Sequence, residues 1–208
     1  MLDVYVLRLP ALLLAIVGHE FAHALAADRL GDPTPRRTGR LTFNPIAHLD
    51  PVGLLCLWLL GFGWAKPVQI NPYFFRVNRR TGLVVTALAG PLANIVMATL
   101  ALVLIKLSVL APASALFRLV WIFLQYNLAL AVFNLIPIPP LDGWRVLEIF
   151  APSEWVEMAE RYGWLLLLVF LATGAVSRIL GPLMSILVNI LDRLTFFVGA
   201  GGILWHGF

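Results

Sequence analysis

The chain has 208 residues, of which 61% are hydrophobic and 12% charged, with a formal charge of +4 and a mean hydropathy of +0.90. Soluble domains are roughly half apolar and about a quarter charged, so a water-soluble fold is excluded: it could not hide this much apolar surface. No basic stripe with interleaved aromatics accompanies the positive charge, which excludes a nucleic-acid partner, and the lone cysteine, Cys56, excludes a disulfide within the chain.

The first apolar segment, 4–27, carries Pro10 near its start and His19, Glu20 and His23 near its end; without a basic leader or a small-residue cleavage site it is not expected to be a cleaved signal. A loop, 28–50, follows with Arg29, Arg36, Arg37 and Arg40. The next apolar stretch, 51–64, falls short of the about 20 residues a span needs and is predicted to be re-entrant or interfacial. A second basic loop, 64–82, holds Lys66, Arg76, Arg79 and Arg80. Segments 83–107 and 116–136 are long enough to cross, and the latter runs into Pro137, Pro139 and Pro140. A mixed-charge stretch, 142–161, reads as an interfacial helix with Glu148 on a solvated face. The last apolar run, 164–191, is expected to break at Gly181-Pro182, and 195–208 has no assignment.

The fold class is therefore an all-α polytopic membrane protein with about four to six membrane segments, embedded in a lipid bilayer as a single domain over 1–208. Ten of the 15 Lys and Arg residues lie in loops 28–50, 64–82 and 139–162, which places those loops on the cytoplasmic side. The segment 51–64 must then enter and leave on one side, and the cytoplasmic ends of the first and fourth segments meet at one depth.

Residues 19–23 read His-Glu-Phe-Ala-His. Positions i and i+4 share a helix face, so His19 and His23 can offer two imidazole nitrogens to one metal, with Glu20 close enough to accept a proton from bound water. Ionisable groups inside a membrane are costly and are retained for function. Catalytic zinc commonly takes three protein ligands. Asp142, at the cytoplasmic end of the fourth segment, is the best third candidate by depth; His48 and His206 are the histidines left over. Alone, Leu141-Asp142-Gly143 after prolines would read as a turn or a helix cap. The competing function class is a non-proteolytic membrane zinc protein or transporter. A transporter needs polar residues along a path, whereas the polar groups here cluster at one depth.

His19-Glu20-Phe21-Ala22-His23, together with Asn134-Leu135-Ile136-Pro137 leading to Leu141-Asp142-Gly143, resembles the site-2 protease family of intramembrane zinc metalloproteases, peptidase family M50. The stretches Phe43-Asn44-Pro45-Ile46-Ala47-His48-Leu49-Asp50-Pro51 and Gly90-Pro91-Leu92-Ala93-Asn94 resemble its compact bacterial and archaeal branch, without PDZ or CBS domain. The resemblance covers about 10–150. It implies one Zn2+ per chain on His19, His23 and Asp142, Glu20 as catalytic base, a catalytic core over about 4–150, and C-terminal membrane segments over about 163–208. It also implies a multi-pass protein of the cell membrane with its active site nearer the cytoplasm, cutting membrane-spanning protein substrates. Asn134 and Asn94 are expected to hold substrate, support the oxyanion or support the site. His48 is a possible accessory ligand or a partner of Asp50. The segment 40–43 has short strand character and could pair with an extended substrate.

Overall fold

The computed structural model describes residues 2–53, 56, 65–107, 110–112 and 114–198. Three of its helices are long and apolar enough to cross a bilayer. They are α1 (Leu2–Arg29), apolar from Val6 onward, α4 (Arg79–Lys106) and α5 (Ala115–Asn134). Polar caps mark where two of them begin: Asn78 accepts from the Arg80 amide (2.9 Å) before α4, and Ser114 from the Phe117 amide (3.0 Å) before α5. α1 ends at Gly31, whose φ of 109° sends the chain back so that Asp32 N–H reaches the Ala27 carbonyl (3.0 Å).

The three spans pack on one another. Small side chains make close approach possible: Ala11, Ala15, Ala24 and Ala27 of α1 and Ala98 of α4 are fully buried. The outward faces carry Leu14, Leu92, Val96, Leu100 and Leu116, exposed as a lipid-facing surface requires.

After α5, a proline-rich turn leads to the short helix α6 (Asp142–Leu147), a 3-10 turn (Glu148–Phe150), and then α7 (Ser153–Ala172) and α8 (Ala175–Leu194). α8 closes the core, placing Met184, Val188 and Leu191 against Leu102 of α4 and Leu124 and Leu128 of α5. An electrostatic clamp seals that contact. The buried Lys106 ammonium meets Asp192 Oδ1 (2.8 Å), the Asp192 carbonyl (2.8 Å) and Thr195 Oγ1 (3.0 Å).

The chain between α1 and α4 is tied down by buried polar side chains. It contains the short helices α2 (Thr34–Arg37) and α3 (Pro45–His48) and a 3-10 turn (Pro72–Phe74). Asp32, fully buried, accepts from the Thr34 amide (2.9 Å) and the Asn71 amide (2.6 Å). Arg40, buried too, donates to the carbonyls of Ala47 and Lys66. These bonds, with Lys66 N–H on the His48 carbonyl (2.8 Å) and an antiparallel bridge between Leu49 and Ala65, hold residues 65–71 against the loop that follows α1.

Four expectations change. Residues 40–43 form no strand, because Arg40 turns inward to bind loop carbonyls and Thr42 and Asn44 spend their polar groups on local turns. The expected single interfacial helix over 142–161 is broken at Ala151-Pro152, since proline cannot continue a helix. Glu148 is mostly buried rather than solvated, with a side chain 10% exposed beside Arg145 (3.5 Å). Burial pushes its carboxyl above the usual range, against a smaller opposing pull from Arg145. The last apolar run breaks at Gly174, whose left-handed φ of 68° ends α7; Gly181-Pro182 lies inside α8. Most of the stretch 51–64 lies outside the described residues, as do His206 and residues 199–208.

Candidate metal centre

His19 and His23 lie one turn apart on the buried face of α1, each 6% exposed. α4 passes them at Gly90. A Cβ there would collide with His23 Nε2 and would lie 2.6 Å from His19 Cε1 and 2.7 Å from its Nε2. Only glycine leaves room for the two rings. Asp142 is delivered by the first turn of α6, and Gly143 is required in turn: a Cβ there would strike the carbonyls of Leu135 and Ile136. The turn after α5 and the start of α6 are thereby pressed together, which aims the Asp142 carboxylate at the histidines.

The three donor atoms converge. His19 Nε2 lies 3.0 Å from His23 Nε2, and Asp142 Oδ2 lies 3.1 Å from the first and 3.2 Å from the second. Both outer ring nitrogens are committed elsewhere. His23 Nδ1 donates to the Thr86 carbonyl (2.7 Å), and His19 Nδ1 meets Asn94 Oδ1 (2.6 Å). Each neutral ring so bonded carries its proton on Nδ1 and its lone pair on Nε2. Two imidazole lone pairs and a carboxylate oxygen facing one another across about 3 Å repel unless a cation or shared proton lies among them. Two nitrogens and one carboxylate oxygen form the donor set that catalytic zinc takes, with a position left open, so the residues present fit the ion. Asp142 would bind such an ion as the carboxylate.

The group opens into a cleft of about 510 Å3 whose walls include Glu20, Ala65, Val68, Thr86, Asn134 and Arg145. Glu20 Oε2 accepts from the Val68 amide (3.2 Å), so the segment 65–71 orients this carboxylate at the rim.

The remaining candidates separate. Asn94 is fully buried behind His19, where it bonds that ring and cannot reach the cleft. Asn134 lines the cleft while its Nδ2 donates to the Leu130 carbonyl (3.0 Å) of its own helix. His48 is fully buried with Nε2 on the Thr42 carbonyl (2.9 Å), bonded neither to the three converging groups nor to Asp50, which caps Gly53 instead (2.8 Å). Three residues near the site belong to no motif: Asp32, which holds the Asn71 amide, Arg145 on the cleft wall, and Asn127. Asn127 is fully buried on α5 and receives the Asn94 amide (2.8 Å). The available signal for Asn127 was its cost, since an amide inside a lipid-facing helix needs a partner.

The model of peptidase family M50 matches residues 108–174. The chain is 38% identical over 184 residues to YwhC of Bacillus subtilis (strain 168), named as a zinc metalloprotease, covering 84% of each protein. It is 32% identical over 209 residues to Rip2 of Mycolicibacterium smegmatis, named likewise, covering 96% of this chain and 79% of Rip2. A shorter match, 41% over 69 residues, covers 33% of this chain and 35% of MJ0611 of Methanocaldococcus jannaschii, which is named in the same way. No solved structure matches the chain. A chain with this convergent donor set, built on helices long enough to span a membrane and with relatives of this similarity over most of its length, belongs to peptidase family M50, the site-2 protease family of zinc metalloproteases.

Proposed function

We propose that the protein hydrolyses peptide bonds of membrane-spanning proteins within the bilayer, on a zinc ion held by His19, His23 and Asp142. The observation that carries this reading is depth. His19 and His23 precede the end of α1 at Arg29 by about 15 Å and 9 Å at the helical rise, well inside a hydrocarbon layer about 30 Å thick. A donor set at that depth, opening into a cleft beside Glu20, suits a peptide that is itself in the membrane.

Zinc bound there supplies Lewis acidity, which lowers the pKa of a water to about 7 and polarises the scissile carbonyl. Glu20 then acts as general base and acid: its carboxylate takes the proton of the attacking water and returns it to the amide nitrogen as that bond breaks. The Val68 amide holds one Glu20 oxygen and leaves the carboxylate acceptor capacity for the proton. Asn134, at the cleft wall, is placed to contact the substrate backbone or the developing oxyanion. The basic loops 28–50 and 64–82 adjoin this end of the spans, which orients the centre toward the cytoplasm of a cell membrane. One membrane-embedded domain carries the whole site.

The test is Glu20→Gln in purified protein with a membrane-spanning substrate. Zinc content should match wild type while turnover falls by about 10²–10⁴-fold, the range for general acid–base catalysis. Turnover retained in that variant would remove Glu20 from the role and this mechanism with it.

A further inference from the structure

Behind the metal centre a line of amides crosses all three spans. His19 Nδ1 of α1 meets Asn94 Oδ1 of α4 (2.6 Å). Asn94 Nδ2 faces two acceptors, the Ala15 carbonyl (3.3 Å) and Asn127 Oδ1 of α5 (2.8 Å). Asn127 Nδ2 donates to the Phe123 carbonyl (2.8 Å). Both asparagines and His19 are buried, so no bulk water substitutes for these bonds.

The direction of every bond in this line follows from its ends. The carbonyls of Phe123 and Ala15 can only accept. Asn127 must therefore turn its NH2 to Phe123 and its oxygen to Asn94. Asn94 must then present its NH2 to Asn127 and Ala15, and its oxygen to His19. An oxygen at that point accepts from an N–H, so the ring proton belongs on Nδ1 and the lone pair on Nε2. That is the tautomer in which His19 can bind a metal.

We propose that Asn127 is a positioning residue that acts through Asn94 to keep His19 in its metal-binding tautomer. Without the Asn127 oxygen, Asn94 keeps only the longer bond to Ala15, the weaker of the two constraints on which end of its amide faces the ring. The inference rests on reading His19 as a ligand. His23 is a built-in control, since its Nδ1 is held by the Thr86 carbonyl and by no member of the line.

The experiment uses the full-length protein in detergent or nanodiscs with Asn127→Leu, which matches the volume without the acceptor, and Asn127→Asp, which keeps an acceptor oxygen facing Asn94 in either protonation state. Two quantities are read: the 15N shifts of His19 and His23 in the metal-free protein, and zinc affinity by chelator competition. Wild type should show His19 protonated on Nδ1. Asn127→Leu should move His19 toward the other tautomer, leave His23 protonated on Nδ1, and weaken zinc about tenfold, as for loss of a partner behind a ligand. Asn127→Asp should restore both. Unchanged His19 shifts and zinc affinity in Asn127→Leu would overturn the proposal, and so would an equal change of tautomer at His23, or equal weakening in Asn127→Asp, since either would mark plain helix packing. Should Asn127→Leu fail to fold, Asn127→Ala carries the same comparison. A wild type that binds no zinc at these histidines sinks the ligand reading itself, a result separate from the tautomer shifts of the metal-free protein.

Discussion

Gly90→Ala sets helix propensity against the metal centre. Alanine favours a helix interior over glycine by about 0.8–1.0 kcal/mol, so α4 alone would gain. The added Cβ, however, would stand 2.6 Å from His19 Cε1, 2.7 Å from His19 Nε2 and in collision with His23 Nε2. The rings must swing away, which breaks the His19–Asn94 bond (2.6 Å) and the His23–Thr86 bond (2.7 Å). At about 0.5–1.5 kcal/mol each, the loss is about 1–3 kcal/mol, or zinc about 5- to 150-fold weaker. The assay is chelator competition on purified protein, with circular dichroism to confirm retained helix. Wild-type zinc affinity in a folded Gly90→Ala protein would refute the packing argument, because no other ring position was allowed for.

Three further outcomes follow from the geometry. Lys106→Met removes the cation from the clamp between α4 and α8 and leaves Asp192 facing the core interface. Breaking a buried pair costs up to about 3–5 kcal/mol and less here, since Asp192 is 27% exposed; limited proteolysis should cut the α7–α8 region faster while α1, α4 and α5 stay protected. Glu148 gives a pH dependence of definite sign. Its carboxyl is raised in the fold above the ordinary 4.5, so the folded protein binds more protons than the unfolded chain between those values and stability falls as pH rises through them. Glu148→Gln should flatten that part of a thermal-stability profile from pH 4 to 7; an unchanged slope would contradict the assignment. Removing zinc from wild type should lower thermal stability by an amount that grows with the logarithm of the zinc concentration restored, read by titrating zinc into the apo protein.

Much of the site was legible because its strongest element is local. His19 and His23 are spaced by one helical turn, and that spacing alone puts two nitrogens on one face. Asp142 is more than a hundred residues away, yet the basic loops imply that the ends of its segment and of α1 share a depth. What could not be read is directional. Nothing in the sequence says that Asn94 faces a histidine from behind rather than a substrate from in front, or that Asn127 stands behind Asn94, because the azimuth of one span against another is set by packing of small residues such as Ala15, Ala98 and Gly90. The burial of His48 against the Thr42 carbonyl is unreadable for a similar reason: it follows from the loop folding inward on Arg40. The helix break falls at Gly174, where a left-handed glycine ends α7, and not at Gly181-Pro182, through which α8 stays helical.

Zinc-edge X-ray absorption on the purified protein tests the centre most directly. One zinc per chain is expected, with two imidazole nitrogens at about 2.0–2.1 Å and a carboxylate oxygen at about 2.0–2.2 Å, and loss of that signal in Asp142→Ala. A shell containing the Cys56 sulfur, an all-oxygen shell, or a wild-type spectrum surviving in Asp142→Ala would contradict it.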